Sequence, residues 1–215
     1  MDAVFWLSVT LACLLGAMSP GPSLAVIGSL TLNRGRSAGM ISALAHGLAI
    51  AAFALLTALG LVVLLSRYVA AFNLLQLAGS LYLVWMALKL LFAGGSRKDT
   101  GQELSHTVST GDLTGASNWA AARDGFLIAL VNPKIILFFS ALFSQFVSVD
   151  SQLWIKLLMA AIAGSVDALW YMLVAVVISQ PGTLARYQQS GRWLNKVFGV
   201  LLLFIAVGFL ANFRG

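Results

Sequence analysis

Long apolar runs separated by short polar turns dominate the chain. A bilayer core about 30 Å thick takes roughly 20 helical residues, and six runs reach that length, over 3–32, 38–65, 69–92, 125–149, 153–178 and 193–213. The connections are short except at 94–124, where Arg97, Lys98, Asp99, Glu103, His106, Asp112, Arg123 and Asp124 are scattered among Gly, Ser and Thr. This pattern predicts an all-α membrane protein of six transmembrane helices. The polar segment 94–124 reads as a cytoplasmic linker that divides one transporter domain into two three-helix repeats, 1–93 and 125–215. Three is an odd number, so the second repeat enters the membrane in the opposite sense to the first, which is the geometry of an inverted repeat.

Two runs carry interruptions. In the first, Ser19-Pro20-Gly21-Pro22-Ser23 puts two prolines and a glycine amid apolar residues. In the fourth, Asn132-Pro133-Lys134 does the same at the corresponding place. Proline lacks the backbone donor and clashes with the carbonyl four residues back, so spans one and four are expected to break there. Broken backbone at membrane depth is tolerated only where protein or water surrounds it, and paired broken helices in matching positions point to a transport site. A helix restarting at Pro22 or Pro133 has proline where its missing N–H costs nothing. Asn132 suits the N-cap, Gly21 allows close approach, and Ser19 and Ser23 offer hydroxyls. Two positive helix ends result, suited to an anion such as a carboxylate. The alternative is that both breaks are kinks used only for packing.

Composition agrees with the pattern. Of 215 residues, 60% are hydrophobic and 9% charged, far from the roughly half-apolar, quarter-charged make-up of soluble domains. The net charge of +6 comes from residues lying between spans, so it sets orientation and does not suggest a nucleic-acid partner. The loops after spans one, three and five hold Arg34, Arg36, Arg97, Lys98, Arg123, Arg186, Arg192 and Lys196, with Lys89 at the end of span three; the other side has Arg67, Lys156 and Arg214. The first set is therefore expected in the cytoplasm and both termini outside. The apolar run at the N-terminus is too long for a cleaved signal peptide and reads as a retained span. One cysteine, Cys13, and two histidines give no disulfide framework and no metal site; Cys13 reads as a packing residue and His106 as a solvated loop residue.

Ionisable groups inside a bilayer cost roughly 2.5–3.5 kcal/mol on insertion scales, so each needs a reason. Lys134, His46 and Asp167 fall at about the same depth as Pro22 and Pro133, which argues for one shared mid-membrane cavity. Asp167 either carries a proton or locks its helix to Lys134 or Tyr171. His46 either relays a proton or is a hydrogen-bonded interior histidine. Lys134 either meets a carboxylate, pairs with Asp167, or snorkels toward the cytoplasm. Tyr171, one turn from Asp167, and Trp170 either line the cavity or pack. Small residues recur every fourth position on span two (Gly39, Ala43, Gly47, Ala51) and span five (Ala160, Gly164, Ala168), and tight packing near the pseudo-twofold axis is expected of both.

The Ser19-Pro20-Gly21-Pro22 break, the Asn33-Arg34-Gly35 turn with Gly39 after it, Gly125 through Asn132-Pro133-Lys134, and Asp167 with Trp170 together resemble the LysE/RhtB family of bacterial amino-acid exporters. The resemblance covers essentially the whole chain. It implies efflux of amino acids or close derivatives from the cytoplasm across the inner membrane, driven by the proton gradient and needing no cofactor; family members take basic, neutral or hydroxylated substrates. A related branch uses paired cysteines in spans one and four, and Cys13 has no such partner; related metal exporters use more histidines or acids. The expected substrate site is Ser19, Pro20, Gly21, Pro22, Ser23, Asn132, Pro133, Lys134, Asp167 and Tyr171, with Asp167 and His46 coupling protons. The expected partners are an amino acid and membrane lipid, with a homodimer allowed and no nucleic acid. Alternating access is expected to rock one three-helix half against the other. Competing readings are a transporter of another small solute or cation, an intramembrane enzyme, which would need a nucleophile with a base or clustered metal ligands, and a structural or assembly factor.

Overall fold

The structure, a computed structural model, describes residues 2–19, 21–92, 117–147, 151–180 and most positions between 196 and 211. Among the described residues the regular structure is entirely helical: α1 (Ala3–Met18), α2 (Pro22–Arg34), α3 (Arg36–Arg67), α4 (Val69–Phe92), α5 (Asn118–Leu130), α6 (Pro133–Phe146) and α7 (Leu153–Ile178). Helices α3, α4 and α7 are long and apolar enough to cross a membrane. The pairs α1–α2 and α5–α6 each make a further span if a bent pair counts as one. The run at 193–213 lies partly outside the described residues; its described positions are helical, and Leu202 and Ala206 are buried in the core.

Local chemistry sets the helix ends. Asp2 caps α1, its carboxylate accepting from the Phe5 amide at 2.9 Å, and Ser8 and Thr10 return their hydroxyls to the carbonyls of Val4 and Trp6, so neither costs an unpaired group in lipid. Between α2 and α3 the chain turns at Gly35 with φ +86°, a conformation cheap only for glycine. The bends fall at the proline motifs, 62° between α1 and α2 and 56° between α5 and α6.

Helix α5 begins at Asn118, ahead of the expected start at Gly125, so Arg123 and Asp124 belong to a helix and not to the polar linker. The run Ala120-Ala121-Ala122 favours helix strongly, and Arg123 donates to Asp124 at 3.0 Å, which pairs the two charges midway along the helix. The rest of the linker, 94–116, lies outside the described residues.

Helices α3 and α7 form the central contact. A Cβ on Gly47 would lie 2.6 Å from the Gly164 carbonyl oxygen and 2.6 Å from the Ala168 methyl; a Cβ on Gly164 would lie 2.6 Å from the Gly47 carbonyl oxygen and 2.7 Å from the Ala51 methyl. The contact is reciprocal, backbone against backbone, and the two small-residue faces meet each other. Around it α5 packs on α3 and α1 on α7, while α6 lies along α4. Gln76 and Gln145 interlock that last pair: Gln76 Nε2 donates to Gln145 Oε1 at 3.1 Å, and Gln145 Nε2 donates to Ser80 Oγ at 3.1 Å. Large apolar side chains such as Leu48, Leu56, Leu74, Leu81, Leu169 and Leu173 are exposed on the outside, where lipid covers them, whereas Ser19, Ser23, His46, Asn132 and Asp167 are buried.

Candidate functional site

The two helix breaks face each other. Gly21 precedes α2, with Pro22 as its first residue. Asn132 precedes α6, and its side-chain oxygen accepts from the Lys134 amide at 3.1 Å. Asn132 is therefore the N-cap of a helix that begins with proline, as the residue types require. Its side-chain nitrogen donates across to Ser23 Oγ at 3.1 Å. Lys134 reaches the other way: its ammonium donates to the Ser19 carbonyl at 2.5 Å. Ser19 closes the C-terminal end of α1, where unpaired carbonyls carry partial negative charge. A Cβ on Gly21 would lie 3.3 Å from the Lys134 ammonium, so glycine leaves the space through which the lysine crosses the break.

Ser23 leads on to the ionisable pair. His46 Nε2 lies 2.8 Å from Ser23 Oγ, and His46 Nδ1 lies 2.5 Å from Asp167 Oδ2. His46 and Asn132 are each 1% exposed and Asp167 6%. With His46 neutral and its hydrogen on Nδ1, every donor has an acceptor: Asn132 donates to Ser23, Ser23 to His46, and His46 to the Asp167 carboxylate. Four side chains, one before α6 and the others from α2, α3 and α7, thus form one hydrogen-bonded chain. Tyr171 sets its ring edge-on to His46, with centroids 5.0 Å apart at 67°, and packs with Ile27 and Ala43; Trp170 lies against that cluster.

Most of the expected site residues converge. Gly21, Ser23, His46, Asn132, Lys134, Asp167 and Tyr171 line one cavity, and Ser19 is buried and bonded to Lys134. Pro22 and Pro133 serve as first helical residues; Pro20 lies outside the described residues. The partners differ from those expected: Asp167 is held by His46 and Lys134 by a backbone carbonyl. Seven lining residues escape a reading of the sequence: Gly16, Ala17, Ile50, Ile135, Phe138, Phe139 and Ala163. Their one sequence signal is the Phe138-Phe139 pair a turn beyond Asn132-Pro133-Lys134. Cys13, expected as a packing residue, lines the cavity as well. The free volume is about 20 Å³, room for about one water and far too little for an amino acid.

The family model for LysE type translocators matches residues 14–212. The chain belongs to that family. It is similar to the threonine efflux protein of Escherichia coli (strain K12), 25% identical over 198 residues that cover 92% of this chain and 93% of the relative. The homoserine/homoserine lactone efflux protein of Salmonella typhi is 28% identical, with 95% of each chain covered. The leucine efflux protein of Klebsiella pneumoniae subsp. pneumoniae is 26% identical, covering 99% of this chain and 97% of its own. No solved structure matches the chain. Members of this family are transporters and not enzymes.

Proposed function

We propose that the chain exports an amino acid or close derivative across the bacterial inner membrane in exchange for protons. The efflux activities named for its relatives support the substrate class. The coupling rests on one observation, the His46–Asp167 pair bonded to Ser23 at the start of α2. In this reading the six spans form two inverted three-helix repeats and both termini lie outside. The exchange of packing partners supports the repeat: α1 packs on α7 as α5 packs on α3, α2 on α7 as α6 on α3, and Gly47 meets Gly164 reciprocally. The exposed apolar surface leaves room for a homodimer in the membrane, and no step below requires one.

The substrate carboxylate is held at the amide ends of α2 and α6 beside Ser23, Asn132 and Lys134, and its ammonium faces Asp167. Lys134 must let go of the Ser19 carbonyl to take the carboxylate. A proton entering from outside loads the His46–Asp167 pair. Once Nε2 of His46 carries a hydrogen, it donates to Ser23, and the Ser23 hydroxyl must turn its own hydrogen elsewhere. Proton loading therefore cancels the negative charge that holds the ammonium and rearranges the start of α2 in one step. Release of the proton inward resets both. Because α3 and α7 touch backbone to backbone across the repeats, rocking one whole half against the other would break that contact; the moving parts in this reading are instead the half-helices α2 and α6, hinged at their breaks.

The test is transport by the purified protein in liposomes. Asp167→Asn should abolish efflux driven by an imposed pH gradient, and any substrate exchange that remains should be weak and no longer depend on pH. Gradient-driven efflux at the normal rate would remove Asp167 from the coupling.

A further inference from the structure

The residues lining the cavity form two unlike sets. Ser23, His46, Asn132, Lys134 and Asp167 are polar. One helical turn from His46, Lys134 and Asp167 stand Ile50, Phe138 and Ala163, which with Cys13, Gly16 and Phe139 make an apolar wall. In this wall no side chain carries a charge or a hydroxyl, and Asp167, the carboxylate lining the cavity, is already engaged by His46 at 2.5 Å. The Phe138 ring occupies the notch above Gly16, lying 2.5 Å from where a Cβ would stand, so an added methyl at Gly16 and the ring exclude each other. Phe138 is 3% exposed and packs edge-on against Phe139 with centroids 5.5 Å apart, so it leaves the notch only by turning about its χ angles with Phe139 adjusting, whereas Ile50 and Ala163 sit on the two close-packed central helices.

From this we infer that the transported amino acids carry apolar side chains of leucine size, with the side chain taking the place of the Phe138 ring at the Gly16 notch. The inference rests on the exporter reading and narrows it. A lysine or arginine side chain placed there would lose its water with no partner, a cost far larger than any apolar contact returns. A threonine hydroxyl would be buried unpaired, a smaller penalty, because an apolar pocket rejects an added hydroxyl only by about 100-fold. The order of preference is therefore leucine above threonine above lysine, and Phe138 with Gly16 sets the size limit.

Liposomes holding the purified protein and loaded with radiolabelled leucine, threonine or lysine decide it. Leucine efflux should exceed threonine efflux by at least about 10-fold, with lysine efflux at the level of protein-free liposomes. In Phe138→Ala the rate of phenylalanine relative to leucine should rise at least about 5-fold, since removing the ring adds the volume of a side chain; Phe138→Leu serves the same purpose should the alanine variant misfold. Faster efflux of threonine or lysine than of leucine would overturn the apolar-side-chain inference and leave the exporter reading standing. An unchanged phenylalanine-to-leucine ratio in both variants would remove Phe138 from selection. Efflux of none of the three would also overturn the inference, while efflux of another amino acid or derivative by the same liposomes would leave the exporter reading standing.

Discussion

Asn132 does two jobs that single substitutions separate. Its oxygen caps α6 through the Lys134 amide, and its nitrogen donates to Ser23. Asn132→Ala loses both and should cost about 1 kcal/mol, the usual value of an N-cap, seen as a lower Tm in detergent together with lost transport. Asn132→Asp keeps the cap oxygen and removes the donor, so thermal stability should return while transport does not. Recovery of both would show that the bond to Ser23 has no part in transport. The cap is legible in the sequence because it is local: Asn followed by Pro needs no knowledge of the fold. The His46–Asp167 bond is not, since its partners stand 121 positions apart. Counting residues from the span ends puts them at one depth, yet depth leaves open which neighbour each residue turns toward, so Lys134 and Tyr171 are equally good candidates for Asp167 until the helices are placed.

Among the helices, the most constrained contact is the one between α3 and α7. The Gly47 site is closed by the Gly164 carbonyl and the Ala168 methyl, neither of which is the far end of a flexible chain. Gly47→Leu should therefore destabilise the protein by about 3 kcal/mol or more, the upper range for overpacking, and appear as loss of the monodisperse peak on size exclusion in detergent. Gly60, at the other end of the same helix, has nothing within 4 Å of where a Cβ would stand. There Gly60→Ala should be neutral or stabilise by up to about 1 kcal/mol. Equal damage at both positions would deny the close contact. Small residues at every fourth position announce a smooth face on each helix, and the structure supplies what periodicity alone lacks, that each face is the other's partner. The Gln76–Gln145 interlock has no such signal, because a single amide in an apolar run carries no period; only its partner on another helix gives it meaning.

For the molecule as a whole, charge and packing make one claim together. Arg34 donates to the Ser117 carbonyl at 2.9 Å, which brings the end of α2 and the start of α5 to the same face, the face to which the lysine and arginine count assigns the cytoplasm. Apolar runs and basic residues are enough to propose this, because lipid and membrane potential act on composition and need no detailed contacts. The start of α5 is less legible, since a helix continues past the membrane surface where an apolar run ends. The protein offers a clean test of sidedness. Cys13, the one cysteine in the chain, is buried at 3% exposure and should resist labelling, so cysteines introduced on the two faces can be read one at a time. Trp119 on α5 is 76% exposed, and Tyr68, between α3 and α4, is 65% exposed. A membrane-impermeant maleimide should label Trp119→Cys only in inside-out vesicles and Tyr68→Cys only in right-side-out ones. Labelling of both from one side would mean that α4, the span between the two positions, does not cross as drawn. Exchange of the two patterns would invert the molecule, and with it the direction in which protons load His46 and Asp167, turning the proposed exporter into an importer.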